Sequence, residues 1–107
     1  MSDDVRARID GLIQSNPVML FMKGTKQFPA CGFSNSVVQI LKKEGVAFET
    51  FNILSDPALR QTLKELSNWP TYPQLYVAGK FVGGCDIVTE MHQSGELAKE
   101  LQAVKQG

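Results

Sequence analysis

An excess of charge is what this sequence most plainly lacks. Its 11 Lys and Arg balance 11 Asp and Glu, for a formal net charge of +0. No bulk electrostatic attraction to nucleic acid or to an anionic membrane follows. Long apolar runs are missing too, the longest being far too short to cross a bilayer. The N-terminus, Met1-Ser2-Asp3-Asp4, is acidic and has no signal-peptide core. Cysteine is scarce: two residues make no disulfide framework, so a reducing cytoplasm is the expected location. The one histidine, His92, lies away from the motifs below and reads as a surface or packing residue. There is no internal repeat, low-complexity tract or linker. The 107 residues, 43% hydrophobic and 21% charged, suit one domain with one core over residues 1–107.

What is present centres on Phe28-Pro29-Ala30-Cys31-Gly32-Phe33-Ser34. Val18-Met19-Leu20-Phe21-Met22 is a short apolar run of the length of a buried strand, which makes Met19 and Met22 core candidates. Lys23 to Pro29 then reads as a loop. After Cys31, the residues Val37, Val38, Ile40 and Leu41 have helical spacing, with Gly45 as the stop. Cys31 is thus expected at a helix N-terminus, where unpaired N–H groups favour a thiolate and lower its pKa. Lys23 adds to this or serves a bound carboxylate. The competing reading is a small buried filler, against which the exposed loop-to-helix junction argues. Ser34 stands where a Cys-x-x-Cys pair would have its second thiol. The two-thiol cycle cannot close locally, but attack on a disulfide and ligation of a soft metal both stay open.

The rest of the chain supplies a frame. Val5, Ile9, Leu12 and Ile13 share a helix face, with Ser2 or Asp3 as the cap and Asn16-Pro17 as the end. A second strand is expected over Ala47–Ile53. Asp56-Pro57 opens a helix with a Leu59, Leu63 and Leu66 stripe. Leu75–Val77 and Lys80–Val82 form a hairpin around Ala78-Gly79. Asp86–His92 and Glu96–Val104 are helical, interrupted at Ser94-Gly95. The strand–helix–strand unit implies parallel pairing, and the hairpin adds antiparallel strands. The expectation is an α/β fold: a four-stranded mixed sheet with helices on both faces and an extra N-terminal helix. Val18–Met22 is central, between Ala47–Ile53 and Gln74–Val77, with Lys80–Val82 at an edge.

Two further stretches carry candidate chemistry. Trp69-Pro70-Thr71-Tyr72-Pro73 precedes a strand, and locally reads as a rigid turn with a core tryptophan. Gly83-Gly84-Cys85-Asp86 opens a helix whose N–H groups form a carboxylate site. Asp86 is a helix cap or accepts from a ligand ammonium. Cys85 is a filler, a backbone contact, a metal ligand or a resolving thiol.

Cys31-Gly32-Phe33-Ser34 resembles the active-site motif of the monothiol glutaredoxins. Lys23-Gly24-Thr25, Trp69-Pro70-Thr71-Tyr72-Pro73-Gln74 and Gly83-Gly84-Cys85-Asp86 fit that family in the same order. Nearly the whole chain is covered, in the manner of the short single-domain bacterial type. The resemblance implies a thioredoxin-like layout, a cis peptide bond before Pro73, and a Tyr72 backbone that pairs with an extended ligand. Glutathione is that ligand. Its thiol meets Cys31, and its γ-glutamyl end rests on Gly84, Cys85 and Asp86. Lys23 and Arg60 take its glycine carboxylate; judged alone, Arg60 reads as a surface charge. The resemblance also implies storage and transfer of a [2Fe–2S] cluster, Cys31 being the metal ligand. Two chains and two glutathiones then supply the four thiolates. Apo iron–sulfur proteins and BolA-type proteins are the implied partners, and the homodimer is the implied cluster-bound form. The alternative is a glutathione-dependent monothiol oxidoreductase that releases glutathione from proteins. The family is typically poor at this, and the Lys23–Ala30 loop is longer than in its dithiol relatives.

Overall fold

The computed structural model describes residues 2–105. In chain order they form α1 (Ser2–Ser15), β1 (Val18–Met22), α2 (Gly32–Glu44) and β2 (Glu49–Asn52). A 3-10 turn (Ile53–Ser55) follows, then α3 (Pro57–Ser67), β3 (Gln74–Val77), β4 (Lys80–Gly83), α4 (Cys85–Ser94) and α5 (Glu96–Lys105). The strands lie in the order β2-β1-β3-β4, with β1 parallel to β2 and antiparallel to β3. This is the expected mixed sheet, with β1 central.

An unbroken apolar strand needs cover on both faces, and β1 has it at all five residues. Val18, Leu20 and Met22 join Val38 and Leu41 of α2, Val88 of α4, and Leu97 and Leu101 of α5. Met19 and Phe21 face the other way, onto Ile9 of α1, Leu59 and Leu63 of α3, and Tyr76. The sheet therefore carries three helices on one face and two on the other. Each fully buried Leu or Phe contributes about 1.5–3 kcal/mol relative to exposure.

Local chemistry sets the ends. Asn16 donates its side-chain amide back to Leu12 O at 2.8 Å, closing α1 before Pro17. Gly45, at φ 71, ends α2. The hairpin turns through Ala78 and Gly79, both at positive φ, and Ala78 N–H donates to Pro17 O at 2.8 Å. The lone histidine is a packing residue: its Nδ1 lies 2.6 Å from Glu44 Oε2, tying the last turns of α4 and α2.

Four expectations need correcting. Ser2 and Asp3 fall inside α1, not before it, and the residue preceding them lies outside the described range. β2 is shorter than Ala47–Ile53, because Asn52 accepts from Leu54 N–H and turns the chain into the 3-10 turn. Leu66 is 43% exposed, so the α3 stripe stops at Leu63. Asp86 is not a cap: Gly84 holds that position and Asp86 lies in the first turn of α4.

Asp56 caps α3 by accepting from Leu59 N–H and reaches Arg8 of α1 at 2.6 Å. The Arg8 guanidinium, followed by the Leu59 amide, holds its carboxyl below the usual value. A depressed folded-state pKa gives stability that is full above the unfolded value, about 3.9, and lost as pH falls through the folded one. Asp56→Asn keeps a capping oxygen but no charge. Its urea midpoint is expected to fall less than the wild type's on acidification below about pH 4.

Candidate functional site

Cys31 sits where β1, a loop and α2 meet. Its extended backbone, φ −150 and ψ 155, makes it the residue that caps α2, and its Sγ accepts from Ser34 N–H at 3.3 Å. The Ser34 hydroxyl lies 3.3 Å from the same sulfur. Ser34 is wholly buried, and its Oγ also accepts from Lys23 N–H at 3.1 Å. With that lone pair engaged, the hydroxyl proton is free to point at a thiolate. Partial burial is the largest influence on Cys31 and opposes ionisation. The Ser34 hydroxyl, the Ser34 and Phe33 amides and the Lys23 ammonium together outweigh it, so the thiol's pKa is lowered.

The loop between β1 and Cys31 is a built structure. Thr25 and Phe28 exchange backbone hydrogen bonds at 3.1 Å, and Ala30 N–H donates to Lys23 O at 2.9 Å. Gly24, at φ +90, allows this closure: a Cβ there would stand 2.4 Å from Ala30 N. Lys26 donates to Phe48 O, and its ammonium lies 4.3 Å from the Phe48 ring centroid. The loop presents Phe28, 81% exposed, and the first turn of α2 presents Phe33, 64% exposed.

A groove of about 330 Å³ runs beside the thiol, within the range of small-ligand sites. Its lining includes Lys23, Phe33, Tyr72 and Pro73, with Gly84, Cys85 and Asp86 from the start of α4. The Tyr72–Pro73 bond is cis, as expected. Burial pushes the Tyr72 phenol well above its usual pKa, so it stays neutral and donates to Arg60 O at 2.6 Å. Trp69 is half-buried and forms a groove wall, where a core residue was expected. Its Nε1 packs against Gly84: a Cβ on that glycine would lie 3.2 Å from Nε1 and 3.3 Å from Pro73 O.

The glutaredoxin family profile matches residues 18–82. The chain belongs to the glutaredoxin family. An uncharacterized monothiol glutaredoxin of Synechocystis is 57% identical over 102 residues, 95% of each chain. Reduced apo GrxS14 of poplar is 51% identical with a TM-score of 0.85, over 96% of this chain and 94% of that one. A buckwheat glutaredoxin–glutathione complex is 26% identical, also with a TM-score of 0.85, over 94% and 90%. The thioredoxin-like fold and the monothiol resemblance both stand.

Six of the predicted site residues of this glutaredoxin line one groove: Lys23, Tyr72, Pro73, Gly84, Cys85 and Asp86. Cys31 lies beside it, next to Phe33 and within the field of Lys23. Arg60 is not among the lining residues; its charge acts on Tyr72, which in turn holds the Arg60 carbonyl. Cys85 is a free, half-buried thiol with Sγ 4.0 Å from Thr89 Oγ1. Sequence reasoning treated Ser34 only as a missing cysteine. The signal that could have revealed its role was a hydroxyl three residues after a helix-capping position, within reach of the sulfur.

Ser34→Ala is expected to raise the Cys31 pKa, read from the ultraviolet absorbance of the thiolate against pH. The same change leaves Lys23 N–H unpaired and is expected to cost about 1–3 kcal/mol in urea unfolding.

Proposed function

We propose that this glutaredoxin carries [2Fe–2S] clusters, each held between two copies of the chain by Cys31 and a glutathione bound to each copy. The observation that carries this reading is an acidified, reachable thiol beside a ligand groove, with a serine in place of a second motif cysteine. Four thiolates usually hold such a cluster. Among the described residues no group of three or more His, Cys, Asp or Glu is placed to hold a metal ion. In this reading the remaining ligands come from outside the chain: one glutathione per protomer makes two, and a two-fold mate makes four.

The groove suits an extended tripeptide. The γ-glutamyl carboxylate meets the amides at the start of α4, and its ammonium meets Asp86. The cysteinyl unit lies along the Tyr72 backbone, and Lys23 faces the glycine carboxylate, with Arg60 behind Tyr72. The buckwheat relative's complex with glutathione supports glutathione as the ligand. Half of the cluster ligands are not covalently attached to the protein, which favours release to an apo iron–sulfur acceptor. Phe28 and Phe33 offer apolar surface beside the sulfur for a second copy, a BolA-type protein or an acceptor. The lowered thiol pKa also favours a second reading. In it the Cys31 thiolate attacks a glutathionylated protein, expels that protein's thiolate and keeps glutathione as a mixed disulfide. A second glutathione then reduces this, leaving as oxidised glutathione.

Anaerobic supply of iron, sulfide and glutathione tests the proposal. The expected product is a coloured dimer that bleaches when glutathione is withdrawn. A colourless monomer with rapid turnover of a glutathionylated substrate would establish the second reading instead. Cys31→Ser is expected to abolish both, and Cys85→Ser to leave the chromophore largely intact.

A further inference from the structure

Two consecutive backbone amides leave the end of β1, and each is held by a side chain from a different element. Lys23 N–H goes to Ser34 Oγ of α2. Gly24 N–H goes to Asn52 Oδ1, at the end of β2, at 3.0 Å. We propose that Asn52 is a positioning residue: its side-chain oxygen fixes the backbone at Lys23–Gly24 and so sets where the Lys23 ammonium stands beside Cys31.

The β-ladder shows why a side chain is needed here. Met22 pairs with Asn52, and the β1–β2 register ends at that pair. Beyond it the chain swings through positive φ at Gly24, a buried residue, and its amide has left the ladder. A buried N–H without an acceptor costs about 1–3 kcal/mol. Asn52 supplies the acceptor by extending the ladder one step with its side chain. The same oxygen accepts from Leu54 N–H at 3.0 Å, so the bend after β2 and the loop after β1 share one atom. Both partners are donors, which fixes the amide orientation as oxygen towards them. Lys23 O, held by Ala30 N–H, closes the third side. The Lys23 main chain is thus held by Ser34, Asn52 and Ala30, leaving only its side-chain torsions to place the charge. Capping Leu54 alone would not require the oxygen to face Gly24. The use of that charge towards a glycine carboxylate rests on the glutathione reading; the anchor itself does not.

Alkylation of Cys31 by iodoacetate, an anion, and by neutral iodoacetamide, resolved by peptide mass at one pH, reads the local cation independently of the thiolate fraction. Asn52→Ala and Asn52→Ser are compared, the second keeping a capping hydroxyl for Leu54 on a shorter side chain. Both are expected to lower the iodoacetate-to-iodoacetamide rate ratio by roughly threefold, and this loss is expected to vanish in a Lys23→Ala background. Calorimetry should show weaker binding of glutathione and unchanged binding of γ-glutamylcysteine, which has no glycine carboxylate. The assignment is overturned by a ratio that neither substitution moves, by an equal fall without Lys23, or by failure of both variants to fold. A lowered ratio in a protein whose wild type does not bind glutathione would uphold Asn52 and remove the glutathione reading.

Discussion

A sulfur anion needs donors, and the first turn of α2 is where this chain supplies them. The Ser34 and Phe33 amides and the Ser34 hydroxyl face Cys31 because Cys31 caps the helix. That arrangement holds only if α2 starts at one fixed place relative to β1, and the Lys23 N–H to Ser34 Oγ bond fixes it. The core beneath works to the same end. β1 is packed on both faces, and α2 lies on one of them through Val37, Val38 and Leu41. A small shift of helix against strand would break the packing and the hydrogen bond together, so the thiol's environment inherits the rigidity of the core.

Sheet topology decides what else can reach that sulfur. β1 runs parallel to β2 and antiparallel to β3, with Phe21 opposite Gln74 and Met22 opposite Asn52. The end of β1, the end of β2 and the start of β3 therefore share one edge of the sheet. β4 returns there as well, since Gly83 pairs with Leu75. Lys23, Asn52, Pro73 and Gly84 come from four different strand ends, yet they converge without any long excursion of the chain. Two helix N-termini lie here, that of α2 at the thiol and that of α4 in the lining of the groove. The His92–Glu44 contact ties the opposite ends of the same two helices.

Much of this was legible in the sequence, and its limits have physical causes. Val18–Met22 declared a buried strand by lacking any polar residue, and Asp56-Pro57, Gly45 and Ala78-Gly79 marked boundaries because their chemistry is local. β2 was drawn too long: Ile53 is as apolar as a strand residue should be, but the Asn52 cap to Leu54 ends the strand before it. Asp86 had the composition of a cap, but the backbone makes Gly84 the cap, where a Cβ would press on Trp69 and Pro73. The hydrogen bonds made by Ser34 and Asn52 were not legible. Each residue bonds a backbone amide remote in sequence, and no periodicity carries such a contact.

Replacing a second cysteine by serine is usually described as a loss, because the dithiol route closes. The geometry at Ser34 gives the replacement a positive content. A thiol at that position would be a weaker acceptor for the Lys23 amide and a weaker donor to a neighbouring thiolate than a hydroxyl. A hydroxyl accepts from one and donates to the other in a single buried contact. The sulfur it leaves behind is acidified without a base beside it and has no motif partner with which to form a disulfide. Those two properties suit a thiolate ligand, and they suit exchange with glutathione, which needs no second motif thiol, as well. One side chain therefore does both things: it closes the local dithiol route and lowers the pKa of the thiol that remains.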